Sequence, residues 1–141
     1  MTGWLILNTL FKTTNKYLMK IILVIGIGSL LGGICRYLLT LFIQNKLLTT
    51  FPLGTLVVNI LACFFIGIVY GLSDRGNVNA EWRLFLATGF LGGFSTFSSF
   101  SNETVSLLRD GQLWYAFSYV AGSVITGIAA TFAGIFVIKL L

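Results

Sequence analysis

Residues 92–100 read Gly-Gly-Phe-Ser-Thr-Phe-Ser-Ser-Phe, and this stretch is the main clue to the architecture. It lies inside an apolar segment from about Trp82 to Leu108, which is longer than the roughly 20 residues that a helix needs to cross a bilayer. Paired glycines and neighbouring hydroxyl groups weaken a helix at this point. Non-helical backbone at membrane depth is tolerated where it is buried in protein or lines a cavity. The stretch therefore predicts a helix broken in its middle, and the alternative is that small residues only let two helices pack closely.

Two more apolar segments precede this one in the sequence, and one follows it. Their approximate limits are Ile21 to Ile43, Leu53 to Leu72, and Leu113 to Ile138. Near the start of the last segment we expect Trp114, Tyr115 and Tyr119 to be interfacial aromatics. The chain is 57 % hydrophobic and carries nine Lys or Arg and four Asp or Glu in 141 residues. A soluble domain usually has about 25 % charged residues, against 9 % here. The sequence predicts an all-α protein whose four transmembrane helices cross the cell membrane, with the third helix broken.

Residues 1–18 form a leader ahead of the first span, and we place a single four-helix transmembrane domain at residues 19–141. The apolar part of the leader is too short to span a bilayer and precedes its lysines, which is not the order found in a signal peptide. A misassigned start, a remnant of expression and a short interfacial helix all remain open for this segment.

The positive charges orient the predicted helices only weakly. From residue 19 onward, the side that holds both termini carries four Lys or Arg, and the opposite side carries two. These are Lys20, Arg75, Arg83 and Lys139, against Lys46 and Arg109. So small a bias, in a chain too small to enclose a pore by itself, predicts an antiparallel dimer. The charges stand singly between apolar runs, which favours membrane-edge anchors over a nucleic-acid-binding stripe.

The residue types needed for most enzyme chemistry are missing. The sequence has no His, and its two cysteines, Cys35 and Cys63, stand alone inside apolar segments, where small buried hydrophobic side chains are the default interpretation. Metal-hydrolase and Cys-His or Ser-His mechanisms are unsupported, because the groups that activate a nucleophile are absent. We expect a protein that is not an enzyme.

Three polar side chains lie inside the predicted spans, where such residues are costly and usually functional. Asn59 is the one amide in the interior of the second span, and its carboxamide can donate two hydrogen bonds, as an anion requires, although packing between helices is the alternative. Arg36 costs about 2.5–3.5 kcal/mol at a helix centre, so we expect it to have a task. It would either attract anions into a vestibule or pair with Glu103, the single acidic residue within the spans.

Aromatic and hydroxyl side chains continue this pattern. Phe97 and Phe100 are three residues apart and share one side of a helix, and their ring edges are electropositive enough to favour a small anion. A lipid-facing or core aromatic stripe is the alternative. Ser123 and Thr131 are eight residues apart and fall near one face of the fourth span, although such hydroxyls commonly bond their own helix.

Three motifs, taken together, resemble a known family. They are residues 32–37 (Gly-Gly-Ile-Cys-Arg-Tyr), residues 52–59 (Pro-Leu-Gly-Thr-Leu-Val-Val-Asn) and residues 89–100, which contain the glycine- and serine-rich stretch. These motifs are similar to the first-, second- and third-helix signatures of the Fluc/CrcB family of fluoride ion channels. The resemblance runs from about Met19 to the C-terminus.

The resemblance implies a fluoride-selective channel in the bacterial plasma membrane that lets fluoride leave passively and so lowers its toxicity in the cytoplasm. It implies an antiparallel homodimer with two pores, and a heterodimer with a related chain stays open. It also implies a central Na⁺ that is structural and not transported, held by the backbone carbonyls of Gly92 and Ser95. The implied pore residues are Asn59, Phe97, Phe100, Ser98, Ser99, Ser123 and Thr131, with Arg36 and Glu103 as vestibule or gating charges.

Two departures and two rival interpretations accompany this resemblance. Ser95 stands where many members have Thr, and Gly127 stands where Ser is frequent, so one hydroxyl of the polar track is missing. A small multidrug exporter also has four spans, but it needs an acidic residue in its binding chamber, and the first span carries Arg36 instead. A non-transporting assembly subunit would use the same polar residues for packing alone.

Overall fold

The computed structural model describes residues 2–47 and 49–141, with side-chain positions from residue 15 onward. Every regular element in this part of the chain is helical. The elements are α1 (Thr2–Lys46), α2 (Leu53–Asp74), α3 (Ala80–Arg83), a π-helical segment (Leu84–Leu91), α4 (Gly92–Phe94), α5 (Phe97–Arg109) and α6 (Leu113–Leu140). The predicted all-α architecture is confirmed.

Three of these helices are long and apolar enough to cross a membrane: Asn15–Lys46, Leu53–Asp74 and Leu113–Leu140. The third predicted span, residues 80–109, is divided, so that none of its pieces qualifies alone. Together they complete the expected four-helix membrane fold, and the chain is a multi-pass membrane protein. Large apolar side chains cover the outside of the bundle, as a surface bathed in lipid requires.

The first helix is continuous from Thr2 to Lys46. Its 45 residues correspond to a rod of roughly 67 Å at 1.5 Å per residue, about twice the thickness of a hydrocarbon core. The backbone of residues 2–18 thus continues the helix of the first span with no interruption at the predicted domain limit.

Glycines bring the helices into close contact along two seams. On α2 and α6, a Cβ added at Gly67 would collide with the carbonyl oxygen of Thr131, and one at Gly134 would collide with that of Phe64. On α1 and the third span, a Cβ at Gly93 would lie 2.8 Å from the Cα of Ser29. Backbone–backbone approach of this kind is how membrane helices gain van der Waals contact without a hydrophobic driving force between them.

A π-helical segment, Leu84–Leu91, leads the third span towards its break. Its backbone hydrogen bonds join residues that are five apart, instead of four as in an α-helix. For example, the N–H of Gly92 donates to the carbonyl oxygen of Ala87. Such segments are frequent at functional sites, because the extra residue per turn displaces the next part of the helix. Neither composition nor spacing in the sequence predicted this segment.

Two expectations about side-chain placement are wrong. Tyr119, which the sequence places among the interfacial aromatics at the start of the fourth span, is fully buried, with 0 % exposure, whereas its neighbours Trp114 and Tyr115 are exposed as expected. Cys35, expected to be a small buried residue, is exposed on the bundle surface, and Cys63 is only half-buried. Rotation of each helix about its axis decides these placements, and interhelical packing sets that rotation.

Candidate functional site

The predicted break in the third span is present, at Ser95 and Thr96. Both residues have extended backbone, with φ/ψ of −78°/158° for Ser95 and −149°/117° for Thr96. The helix of Gly92–Phe94 ends before them and α5 begins after them at Phe97. The packing alternative holds for one of the paired glycines: Gly93 presses against α1. Gly92 is exposed, and a Cβ added there would make only an ordinary contact with the Ala87 carbonyl oxygen at 3.7 Å.

The carboxamide of Asn59 holds the non-helical backbone on its inner side. Its Oδ1 accepts a hydrogen bond from the N–H of Thr96 at 2.9 Å, and its Nδ2 donates to the carbonyl oxygen of Thr96 at 3.1 Å. In an uninterrupted helix that N–H would donate to the carbonyl of Gly92, four residues earlier. The side chain of α2 thus replaces a helical hydrogen bond of the third span.

Thr96 in turn caps the start of α5. Its hydroxyl oxygen accepts from the N–H of Ser99 at 3.2 Å, the standard contact of an N-cap residue. The same hydroxyl lies 3.1 Å from the Ser99 hydroxyl and 3.2 Å from that of Ser98. The two serines of the predicted hydroxyl track therefore form one hydrogen-bonded cluster with Thr96.

The backbone carbonyls at the break differ in whether a protein group donates a hydrogen bond to them. Arg36 donates from Nε to the carbonyl oxygen of Gly93 at 3.3 Å. In the part of the chain that the structure describes, no protein donor reaches the carbonyl oxygens of Gly92 or Ser95, since Thr96 and Ser99 direct their N–H groups elsewhere. These are the two carbonyls that the resemblance assigns to Na⁺.

The alternative in which Arg36 pairs with Glu103 is wrong. Arg36 meets the Gly93 carbonyl, while both carboxylate oxygens of Glu103 are occupied by hydroxyl groups. Thr55 donates to Oε1 and Tyr119 to Oε2, each at 2.6 Å. The sequence analysis missed Thr55, Thr96 and Tyr119. A signal existed only for Thr96, because a Thr directly before a new helical run is a typical N-cap.

A cleft of about 270 Å³ lies beside the break. Its lining consists of Asn59, Cys63, Ser95, Thr96, Phe97, Phe100, Ser123 and Val124. Four of the predicted pore residues are among them, and they come from α2, α5 and α6. The cleft is open on one side, where the Phe97 side chain is 79 % exposed.

The two phenylalanines lie side by side at the mouth of this cleft, with ring centroids 5.6 Å apart and planes tilted by 41°. Phe100 packs against the buried Tyr119 at 5.1 Å, which leaves Phe97 as the freer ring. The predicted common side of these two residues is confirmed.

The two hydroxyl residues predicted on the fourth span have different surroundings. The Oγ of Ser123 is buried in the cleft wall and has no hydrogen-bond partner among the described residues. Thr131, in contrast, donates to the carbonyl of Gly127 in its own helix at 3.1 Å and lies outside the cleft lining. Of this pair, only Ser123 lines the cleft and has a hydroxyl without a partner among the described residues.

Sequence comparisons agree on one family. The family described as CrcB-like protein, Camphor Resistance (CrcB), matches residues 23–135, a range that contains every candidate residue named above. Among curated relatives, the "Fluoride-specific ion channel FluC" of Phocaeicola vulgatus is 46 % identical over 117 residues, covering 83 % of this chain and 97 % of the relative.

Two further relatives carry the same name. The protein of Flavobacterium psychrophilum is 44 % identical over 122 residues, covering 86 % of this chain and 98 % of the relative. That of Pyrococcus horikoshii is 47 % identical over 118 residues, covering 82 % and 93 % respectively. Similarity at this level extends over nearly the full length of each relative.

Proposed function

Because this chain belongs to the CrcB family, we propose that it is a fluoride-selective ion channel through which fluoride leaves the cell passively, which lowers fluoride toxicity in the cytoplasm. The observation that carries the proposal is the cleft beside the helix break, where an amide, a free hydroxyl and two phenylalanine rings converge. The curated relatives, named as fluoride-specific channels, supply the identity of the ion.

The groups at the cleft suit a small anion that must give up its water. Asn59 uses one of its two amide hydrogens on Thr96, so the other is available to an ion. Ser123 offers its hydroxyl, and Phe97 and Phe100 offer ring edges that carry partial positive charge. Donors of this kind replace hydration, and their modest individual strength allows the ion to leave again.

A passive channel fits the titratable groups better than a proton-driven transporter does. Proton relays in membranes are built from ionisable side chains placed along the path. Glu103 is the single carboxylate inside the predicted spans, and both of its oxygens already accept hydrogen bonds from Thr55 and Tyr119. We assign it a role beside the pore, and we assign Arg36 a vestibule role as an attractive positive charge.

A structural Na⁺ fits the carbonyls at the break. The oxygens of Gly92 and Ser95 are free of protein donors among the described residues, and carbonyl oxygens suit a hard cation. Gly92 is exposed, so a second subunit has room to approach its backbone. The ion would hold the non-helical backbone of two subunits together and would supply positive charge near the pores. It is not transported.

We propose that a second subunit completes the pore, and the open side of the cleft in one chain supports this. Phe97 extends from the surface of the bundle, and a side chain so apolar and so exposed beside polar pore groups points to burial against a partner. The weak charge asymmetry from residue 19 onward favours an antiparallel arrangement. We propose a homodimer of this kind, with two pores.

Fluoride efflux from liposomes that contain only this protein tests the proposal. Vesicles loaded with potassium fluoride and supplied with valinomycin should release fluoride to an ion-selective electrode, and vesicles loaded with chloride should release almost none. Release that requires a proton gradient would point to a transporter, and no release from correctly folded protein would point to an assembly subunit. A heterodimer would appear as activity only after a related chain is added.

A further inference from the structure

We infer that Asn59 is a positioning residue for the cation site: its carboxamide turns the Thr96 peptide away from the helix and so keeps the Gly92 carbonyl free. This inference rests on the proposed sodium site and adds a residue from another helix to it. The role is separate from lining the ion path, because it uses the oxygen and one amide hydrogen of Asn59 and leaves the second hydrogen available.

The hydrogen-bond partners at the break carry the argument. A helix would pair the N–H of Thr96 with the carbonyl of Gly92. That N–H donates instead to Oδ1 of Asn59 at 2.9 Å. Since a half-buried peptide N–H needs a partner, removal of Asn59 gives it the Gly92 carbonyl as the nearest replacement along the helix. A carbonyl that accepts from the peptide is a weaker cation ligand.

The second free carbonyl depends on the same contact. Ser95 would accept from the N–H of Ser99 in a helix, but the Thr96 hydroxyl takes that N–H at 3.2 Å. The hydroxyl can reach Ser99 because the Thr96 backbone is extended, and Asn59 binds this backbone through both its N–H and its carbonyl. Asn59 therefore acts on Gly92 directly and on Ser95 through Thr96.

The carbonyl between these two is treated differently. Gly93 points its oxygen at Arg36, which donates from 3.3 Å. This donor gives the Gly93 carbonyl a partner and places a positive charge beside it, which disfavours a cation there. The side chains of α1 and α2 thus select which carbonyls of the break stay open, Arg36 by occupying one and Asn59 by releasing its neighbours.

Sodium titration of the purified dimer tests this role without relying on flux. The measured quantity is the Na⁺ concentration that gives half of the maximal stabilisation of the dimer against thermal dissociation. N-methylglucamine replaces Na⁺ so that the ionic strength stays constant. Asn59→Ala should raise that concentration about tenfold, the change that loss of an ordinary hydrogen bond produces in an equilibrium constant. Asn102→Ala is the matched control, since Asn102 is exposed on α5 and should leave the titration unchanged.

A second variant keeps the test decisive if Asn59→Ala does not form a dimer. Thr96→Val retains the volume of the side chain but removes the cap on Ser99, and it should also raise the half-protecting sodium concentration. Amide hydrogen exchange supplies an independent reading, because the exchange rate of the Thr96 amide should change when its partner changes from the Asn59 carboxamide to the Gly92 carbonyl. In Asn102→Ala the rate should stay as in the wild type.

The outcomes separate this inference from the proposed function. A wild-type dimer that responds to Na⁺, together with unchanged titrations in Asn59→Ala and Thr96→Val, would overturn the positioning role alone. If Na⁺ does not stabilise the wild-type dimer, both the cation site and the positioning role are overturned. The channel proposal would still be tested separately, by fluoride efflux from liposomes.

Discussion

Tyr119 donates its hydroxyl to Oε2 of Glu103 at 2.6 Å, which ties α6 to α5 in the interior of the bundle. Thr55 of α2 donates to the other carboxylate oxygen at 2.6 Å, so one acidic group joins three helices. Tyr119 is fully buried and Thr55 nearly so. A polar cluster of this kind is stabilising only while each member keeps its partners, since a buried group left without one costs free energy.

Tyr119→Phe should therefore destabilise the fold by about 1–3 kcal/mol, because it removes one of the two donors to Glu103 and leaves an oxygen of this half-buried carboxylate without a protein partner. The measurement is the unfolding midpoint in detergent. Tyr115→Phe is the control, since the Tyr115 side chain is exposed and its hydroxyl makes no hydrogen bond to the described residues. Equal midpoints for the two variants would contradict the role of the cluster.

Phe97→Ile and Phe100→Ile should fold and dimerise but pass fluoride far more slowly. Ile keeps most of the apolar volume and removes the ring quadrupole on which the proposed ion contact depends. Fluoride-electrode recordings, normalised to folded dimer, measure the effect. Phe132→Ile, at an exposed position of α6, is the control.

If the two rings serve only packing, the pattern reverses. Each substitution would then cost about 1–3 kcal/mol of stability through misfit, and the surviving protein would conduct normally. Near wild-type flux in both variants would remove the rings from the mechanism and leave Asn59 and Ser123 as candidates.

The adjacent glycines Gly92 and Gly93 should respond differently to substitution. Gly93→Ala places a Cβ 2.8 Å from the Cα of Ser29, so the α1 seam must open, at a cost of about 1–3 kcal/mol. A Cβ added at Gly92 meets only the Ala87 carbonyl oxygen within 4 Å, at 3.7 Å, which is ordinary contact, and Gly92 is exposed, so we test this position with Gly92→Val. It should leave the subunit folded and abolish stabilisation of the dimer by Na⁺.

Thermal unfolding of the subunit and sodium titration of the dimer distinguish these two effects. A Gly92→Val dimer with unchanged fluoride flux and an unchanged sodium response would argue against a cation at this position. Loss of folding in Gly92→Val would instead assign packing to both glycines.

Copies of this chain should occur in both orientations in the native membrane. Asn77→Cys, in the loop between α2 and α3, places a thiol on one aqueous face of the bundle, in a background where Cys35 and Cys63 are replaced by Ala. A membrane-impermeant maleimide should label about half of the copies in sealed cells, as an equal mixture predicts. Labelling of all copies, or of none until lysis, would exclude the antiparallel dimer.

The sequence predicted the third-span break because its signal is local. Gly92 and Gly93 lower helix propensity, and the hydroxyl residues that follow them offer the backbone other hydrogen bonds, so the place of the break depends on neighbouring residues. The shared side of Phe97 and Phe100 is equally local, since residues three apart on one helix lie close together whatever surrounds them.

The partners of the interior polar groups were not predictable in the same way. Sequence analysis allowed Arg36 either a vestibule role or a pairing with Glu103, and the structure gives Arg36 the Gly93 carbonyl and Glu103 two hydroxyl groups. Tyr119 was expected at the membrane interface and is buried. Each of these contacts joins residues of different helices.

Sequence alone determined that the chain has four apolar spans and which residues carry polar atoms into the membrane, and it predicted a break in the third span. The packed helices were needed to show that Asn59 binds the Thr96 backbone and that the carbonyls of Gly92 and Ser95 are left free. The physical reason is that hydrophobicity and helix propensity are properties of short segments, whereas a hydrogen bond between helices depends on their rotation, depth and distance. Those are set by close contacts such as Gly93 against Ser29, which involve residues far apart in the chain.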